Sequence, residues 1–381
     1  MTSRQHVVCD AIPFGYGPAR ILQKILDQLG DGIRTTLLAN GSTLEYFSTH
    51  PISAVECDSY DEVELLRQLR SFDHVDLVIS VENERLIRAA NAAGYKTLFI
   101  SLFEFIWASP VEALPENTLV AVYRTLEQDE QVERAKRKYG EIAVFSGFEI
   151  SEKVSHSFVG TSDFSLVHLG GLNSKQIAHD HQLTYLLFVM QALELSGRDL
   201  EKCLIVSNPQ VVAASKNSEL VEKMNARVVS LTFQQYQHEL LSCRELITTP
   251  GISSVVDAVQ QSKLVHLLLP ANFTQIHQLR QFNRIFKTEY PSFLDLSEDY
   301  DVHSGASESC CNSQINHWIE SVASNNQALR SYSALFSNAS GPNQIESRTR
   351  QANRLREWQE SVSGKSESIA NAVGRLLNPN A

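Results

Sequence analysis

Leu246-Ile-Thr-Thr-Pro-Gly-Ile-Ser-Ser-Val-Val-Asp-Ala-Val-Gln-Gln-Ser-Lys-Leu-Val-His-Leu-Leu-Leu-Pro-Ala-Asn-Phe-Thr-Gln-Ile-His-Gln278 decides the fold class of this chain. A short apolar run ends at Thr248, and a Pro-Gly turn follows. Ser253 and Ser254 then open a helix, and a second apolar run closes at Pro270. Strand, tight turn, helix, strand is one βαβ unit, whose strands lie parallel. A helix that starts behind a Gly turn offers unpaired N–H groups and a positive dipole, which suits a diphosphate. Asp257, one turn into that helix, is acceptor-only and can take hydrogen bonds from ribose hydroxyls.

Working outward, the same alternation extends in both directions. Upstream in the second half, Ser165–Leu169 reads as a strand broken by Gly170-Gly171, Leu183–Leu195 as a helix and Cys203–Ser207 as a strand. Arg227–Leu231 and Glu245–Thr248 read as strands around a helix near Gln234–Leu241. In the first half, His6–Ala11, Thr35–Leu38, Val75–Ser80, Lys96–Ser101, Leu119–Val122 and Ala143–Phe145 read as strands. A helix with Ile21, Leu22, Ile25, Leu26 and Leu29 on one face follows the loop Phe14-Gly-Tyr-Gly-Pro18, and another covers Glu84–Ala93. Polar residues from Gly147 to Asp163 mark a linker. The expected organisation is α/β, with two facing Rossmann-like domains over 1–150 and 164–325 and a helical segment over 326–381 packing on them. Ligands of such sheets sit outside the carboxyl ends of the strands.

Composition narrows the partners. The 381 residues carry a net charge of −11 with 20% charged and 43% hydrophobic residues, as expected of a soluble globular protein with two cores. No Lys/Arg cluster tracks a phosphate backbone, which argues against nucleic acid. No apolar run is long enough to span a bilayer, and the N-terminus has no secretory signal, so the expected compartment is the cytoplasm. Six spread cysteines without a C-x-x-C read as reduced thiols, with Cys310-Cys311 in a polar stretch. His179 and His181 lack a third ligand placed by the sequence, so no metal is expected.

The segment from Leu246 to Gln278 resembles the nucleotide-sugar donor site of GT-B glycosyltransferases, the MurG-like and UDP-glycosyltransferase group. Gly251, Ser253, Ser254 and Asp257 stand at the family's spacing, Pro270 closes the next strand, and Thr274-Gln275 and Gln278 occupy the tail. The resemblance implies that Ser253 and Ser254 meet the phosphates, Asp257 the ribose, and Gln275 and Gln278 the sugar hydroxyls. It also implies that Phe233 lies near the base, that the Gly170-Gly171 loop lies near the pyrophosphate, and that Gly15-Tyr16-Gly17 lies on the acceptor side. A second Gly in the turn is absent, Asp replaces Glu at 257, and Thr274 stands where an acidic residue is common. The first loop lacks the family's histidine base.

Transfer with inversion needs a base at the acceptor hydroxyl. Asp10 is the leading candidate because it ends the first strand, with Glu82 and Glu104 after later strands as weaker ones. A carboxylate that only organises the following loop is the equal alternative for Asp10. His168 reads as a hydrogen-bonded core histidine before a phosphate ligand, and Arg20 as a surface side chain. The expected function is an inverting, metal-independent glycosyltransferase moving a sugar from a nucleoside diphosphate to an oxygen or nitrogen acceptor. A hydrolase or epimerase on the same fold, or a non-catalytic binding or scaffold protein, are the alternatives.

Overall fold

The computed structural model describes residues 4–29, 32–102, 114–124, 128–139, 142–146, 162–172, 177, 179–287, 308–337, 344–363 and 369–377. The chain divides into two units, Met1–Glu149 with Glu360–Ala381, and Ile150–Gln359. The expected linker falls mostly outside the described residues.

In the first unit, β1 (Gln5–Ala11), α1 (Gly17–Leu29), β2 (Ile33–Ala39), α2 (Gly41–Phe47), β3 (Ser53–Glu56) and α3 (Glu62–Arg70) come first. They are followed by β4 (Leu77–Val81), α4 (Glu84–Ala92), β5 (Thr97–Ser101), β6 (Thr118–Arg124), α5 (Gln128–Tyr139) and β7 (Ile142–Ser146). All seven strands pair in parallel in the order β3-β2-β1-β4-β5-β6-β7. Val7, Val8, Leu77, Val78, Ile79, Leu98 and Ile100 have no exposure, because helices cover both faces of the sheet. Each such aliphatic side chain contributes about 1.5–3 kcal/mol of burial. β3 escapes a reading by apolar runs for a physical reason. It is an edge strand, and three of its four residues are exposed.

The second unit contains β8 (Ser165–His168), α6 (His179–Leu195), β9 (Cys203–Val206), α7 (Pro209–Ser215), α8 (Glu219–Lys223) and β10 (Arg227–Val229). Then come α9 (Phe233–Ser242), β11 (Glu245–Thr248), α10 (Ile252–Gln260), β12 (Leu264–Leu267), α11 (Phe273–Phe286), α12 (Glu308–Ser324) and α13 (Asn326–Ser337). Its five strands are parallel in the order β10-β9-β8-β11-β12. α6 is apolar nearly all round and correspondingly buried, with Tyr185, Leu186, Phe188, Val189, Met190 and Leu193 at 0–1% exposure. It packs against α12 and α13. The Tyr185 hydroxyl donates to the Leu269 carbonyl, and the Tyr332 hydroxyl accepts from the Leu269 amide at 3.0 Å, so the chain leaving β12 is pinned on both sides.

Two helices finish the chain, α14 (Gln344–Ser363) and α15 (Ile369–Leu377). Gln351 of α14 uses its side-chain amide as a strand would. Its Oε1 accepts from the Val265 amide at 3.1 Å and its Nε2 donates to the Val265 carbonyl at 2.9 Å, covering the edge of β12. α15 belongs to the first unit, where it packs on α1 and its Leu376 carbonyl accepts from Lys96 Nζ at 2.7 Å. Among the described residues, no helix is long and apolar enough to cross a membrane.

In each sheet the strand order reverses beside the first strand of the unit, between β1 and β4 and between β8 and β11. These two switch points are where open α/β sheets accommodate ligands.

Candidate functional site

At the switch point of the second unit, three loops leave the carboxyl ends of β8, β11 and β12 and are tied together by side chains. Thr249 Oγ1 and Gln275 Nε2 both donate to the Gly170 carbonyl at 2.8 Å. Asn272, the N-cap of α11, donates from Nδ2 to the Gly171 carbonyl at 2.9 Å while its Oδ1 accepts from the Gln275 amide at 3.1 Å. Gln275 Oε1 also accepts from the Ala271 amide at 2.8 Å. Both ends of the Gln275 amide are therefore occupied by backbone. Gln278 lies one turn on, on the same helix face, and is 6% exposed. Among the described residues its amide has no hydrogen-bond partner.

Gly171 has φ +80, and a Cβ there would meet Gln275 Nε2 at 2.4 Å and Asn272 Nδ2 at 2.6 Å. Gly94 has φ +81 with open space around the same position, which makes it an internal control. Gly94→Ala should lose only the ~1–2 kcal/mol of left-handed strain. Gly171→Ala should lose about 1–3 kcal/mol beyond that, because two satisfied buried amides are displaced. Denaturant unfolding of the two variants measures the difference, and equal losses would show that the loop junction carries no such constraint.

The turn after β11 closes tightly, with the Gly251 amide donating to the Thr249 carbonyl at 2.6 Å across Pro250. α10 begins at Ile252 with Gly251 as its N-cap and no side-chain cap, so the cap residue leaves the first-turn amides unclaimed. Ser253 and Ser254 are half-buried in this first turn. The Ser253 hydroxyl has no partner among the described residues. Ser254 Oγ lies 3.0 Å from Nδ1 of His168. Burial pushes the His168 imidazole down to about 4, so it is neutral at physiological pH.

α9 supplies the wall beside α10. Its start is held by a capping box between Thr232 and Gln235, a signature legible in Thr-x-x-Gln. Tyr236 packs at a tilt against His168 with ring centroids 4.6 Å apart, and Gln237 Nε2 donates to Asp257 Oδ2 at 3.0 Å. Asp257 is 5% exposed. Phe233 is half-buried and lies three and four residues before Tyr236 and Gln237, hence on the same face. The structure thus gathers Gly170, Gly171, Gly251, Ser253, Ser254, Asp257 and Gln275 around one switch point. Tyr236, Gln237, Thr249 and Asn272 escaped the sequence reading. Asn272 had a signal, since it follows Pro270 and precedes a helical run as an N-cap does.

At the switch point of the first unit, Asp10 sits opposite Ser80 in register and has no exposure. Ser80 Oγ is 2.6 Å from Asp10 Oδ1, and Asn83 Nδ2 donates to Asp10 Oδ2 at 2.5 Å and to the Ser59 carbonyl at 2.9 Å. Burial raises the Asp10 carboxyl to about 7 against the opposing effect of these hydrogen bonds. In this arrangement Asp10 organises the loops around α4. Glu82, at φ 61, accepts from the Leu102 amide and from Ser101 Oγ at 3.4 Å. Glu104 lies outside the described residues. In the first loop Gly15 has φ +65 and its carbonyl accepts from Ser42 Oγ at 2.9 Å. Gly17 opens α1, and burial with the Glu45 carboxylate beside it pushes the Tyr16 phenol up.

Outside these sites, His181 Nδ1 accepts from Asn316 Nδ2 at 2.5 Å. Among the described residues no group of three or more His, Cys, Asp or Glu side chains could hold a metal ion.

No family model matches the sequence, and no curated protein matches it significantly. Solved structures do match. A variant of Os79 from O. sativa in complex with UDP is 13% identical, over 97% of this chain and all of that one, with a TM-score of 0.56. UDP-glucose: anthocyanidin 3-O-glucosyltransferase in complex with UDP is 13% identical over the whole of both chains, with a TM-score of 0.55. Os79 in a complex that includes trichothecene is 13% identical over 98% of this chain and all of that one, also with a TM-score of 0.55. This chain has the GT-B fold, with a seven-stranded and a five-stranded parallel sheet.

Proposed function

We propose that the chain is a glycosyltransferase that takes a sugar from a nucleoside diphosphate, UDP being the nucleotide of its structural neighbours, and transfers it with inversion to an oxygen or nitrogen acceptor. The observation that carries this reading is the first turn of α10, which has no side-chain cap and whose Ser253 hydroxyl has no partner among the described residues, at the switch point of the second sheet. Amides and hydroxyls held in place there would stabilise charge on the departing diphosphate without a metal. Asp257 would receive ribose hydroxyls. Gln278, whose amide has no partner among the described residues, is better suited to the sugar than Gln275, whose amide is spent on the loops. Phe233 would flank the base, and the Gly15-Tyr16-Gly17 loop would serve the acceptor.

A second reading has its own support. Asp10 is enclosed, so the leading carboxylate does not stand open to an acceptor hydroxyl, and Glu82 Oε1 is engaged by the Leu102 amide. That favours a GT-B protein which binds the nucleotide without transfer.

Thermal unfolding with UDP tests donor binding. At a hundredfold excess over its dissociation constant UDP should add about 2.7 kcal/mol to stability. Asp257→Ala should weaken UDP by roughly tenfold or more, the loss of a charge-assisted hydrogen bond. An unchanged shift in that variant removes the ribose assignment, and no shift with the intact protein removes the donor site. UDP release from UDP-glucose that requires an added acceptor separates transfer from mere binding.

A further inference from the structure

We propose that His168 is a positioning residue for the diphosphate, acting through Ser254: when a nucleoside diphosphate binds, Nδ1 carries the proton and donates it to Ser254 Oγ, which frees the serine hydroxyl to donate to phosphate. This rests on the donor-site reading and assigns its second serine a working state.

The hydrogen-bond inventory leads there. A neutral imidazole has one donor and one acceptor nitrogen, and the partner of one nitrogen sets the tautomer. Nδ1 faces two hydroxyls, Ser254 Oγ at 3.0 Å and Thr248 Oγ1 at 3.5 Å. Thr248 has its own proton outlets, the His168 carbonyl at 3.1 Å and the Thr249 carbonyl at 2.9 Å. Ser254 has no protein partner other than Nδ1 among the described residues, so its proton goes to that nitrogen. Nε2 has no partner among the described residues either. Among the described residues, therefore, no hydrogen bond at Nε2 locks the tautomer.

In the arrangement with Ser254 donating to Nδ1, the serine presents only lone pairs to the first turn of α10, and these repel a phosphate oxygen. Moving the ring proton from Nε2 to Nδ1, by exchange with solvent, reverses the polarity of the pair with no change in charge. Ser254 then accepts from the ring and donates to the anion. The ring itself is confined by Tyr236, with centroids 4.6 Å apart, and by Gly170, where a Cβ would come within 2.8 Å of Cε1. Tyr236 is the titratable group against the ring, and burial is the sole cause of the depressed imidazole basicity, with no charged neighbour contributing. A rigid, neutral ring with one uncommitted edge is suited to such a switch.

Two measurements on the full chain test this, with UDP as the probe. In ring-15N-labelled wild-type protein, UDP should move the His168 Nδ1 resonance from pyridine-type to protonated-type, and an unchanged Nδ1 overturns the proposal. For affinity, Ser254→Ala should weaken UDP roughly tenfold and His168→Phe about fivefold. In the Ser254→Ala background His168→Phe should add less than about twofold, because the ring acts through the serine. His168→Asn, which keeps a donor near the Nδ1 position, should restore most of the affinity. Independent, multiplying losses in the double variant would reduce His168 to a packing residue and overturn the proposal. If UDP binds and Asp257→Ala weakens it while Nδ1 stays unprotonated, only this inference falls. If UDP does not bind the wild type at all, the donor-site reading falls and this one with it.

Discussion

Glu245→Ala is expected to destabilise the second unit by about 3–5 kcal/mol, because it leaves buried cations without their anion. Glu245 starts β11 with no exposure and receives Arg198 Nη1 at 2.6 Å, Arg244 Nη2 at 2.8 Å, His266 Nε2 at 3.1 Å and Ser165 Oγ at 2.6 Å. The Arg198 side chain is itself only 9% exposed. Burial opposes ionisation of this carboxyl, but the hydrogen bonds and charges of His266 and Arg198 outweigh it and hold the group well below the usual carboxylate range. A depressed carboxyl contributes stability that is complete above its unfolded value of about 4.3 and declines as pH falls below it. Urea unfolding between pH 3 and 8 should thus show a large gap between wild type and variant at neutral pH, narrowing in acid. A gap independent of pH would mean that the cluster works by packing and not by charge. The cluster lies at the opposite end of β11 from Thr248, so nucleotide affinity per folded molecule should be unaffected.

Asp10→Asn is the second large effect, with the opposite sign. The Asp10 carboxyl rises from an ordinary 3.8 to about 7, so the native state holds a proton over that interval which the unfolded chain has released. Its contribution to stability is complete below about pH 4 and is lost as pH climbs to about 7, at 1.36 kcal/mol per unit, or about 4 kcal/mol in all. Burial is the cause of this preference, and the hydrogen-bond geometry can accommodate the neutral form. Ser80 Oγ lies within reach of both Asp10 Oδ1 at 2.6 Å and the Asn83 carbonyl at 2.9 Å. Its single proton satisfies the carbonyl only if Asp10 donates to the hydroxyl. Asparagine supplies that donor at every pH. The variant should be more stable than wild type by about 2–4 kcal/mol at pH 8 and nearly equal to it at pH 4. Calorimetric midpoints at the two pH values decide this, and a variant that is less stable at pH 8 contradicts a neutral Asp10. The same protein also tests catalysis, since transfer that survives Asp10→Asn removes Asp10 as the base.

Much of the architecture was legible because both sheets are parallel and covered. Runs such as Cys203–Val206 and Leu77–Val81 are buried throughout, and burial on both faces writes itself as nearly uninterrupted apolar sequence. β3 had no such run to show. The helix behind the Pro-Gly turn was readable to within a residue, since a Gly turn and small polar residues are local signals. What stayed hidden is what depends on distant partners. Asp10 could be placed at a strand end, but its enclosure comes from Ser80 and Asn83, 70 and 73 residues away. Gln275 was visible as a polar group after β12, whereas its commitment to the Gly170 carbonyl spans 105 residues. The Asp257–Gln237 bond joins two helices whose facing surfaces no periodicity aligns.

The first unit is assembled from segments on both sides of the second: α15 supplies part of the cover on α1 after the chain has traversed the entire second unit. During synthesis, the α1 surface that α15 covers therefore waits until the second unit and α15 have been made. Since domains emerging early ordinarily mature first, the order is inverted here. The second unit can finish while the first is still incomplete, and the emergence of α15 becomes the step that seals α1.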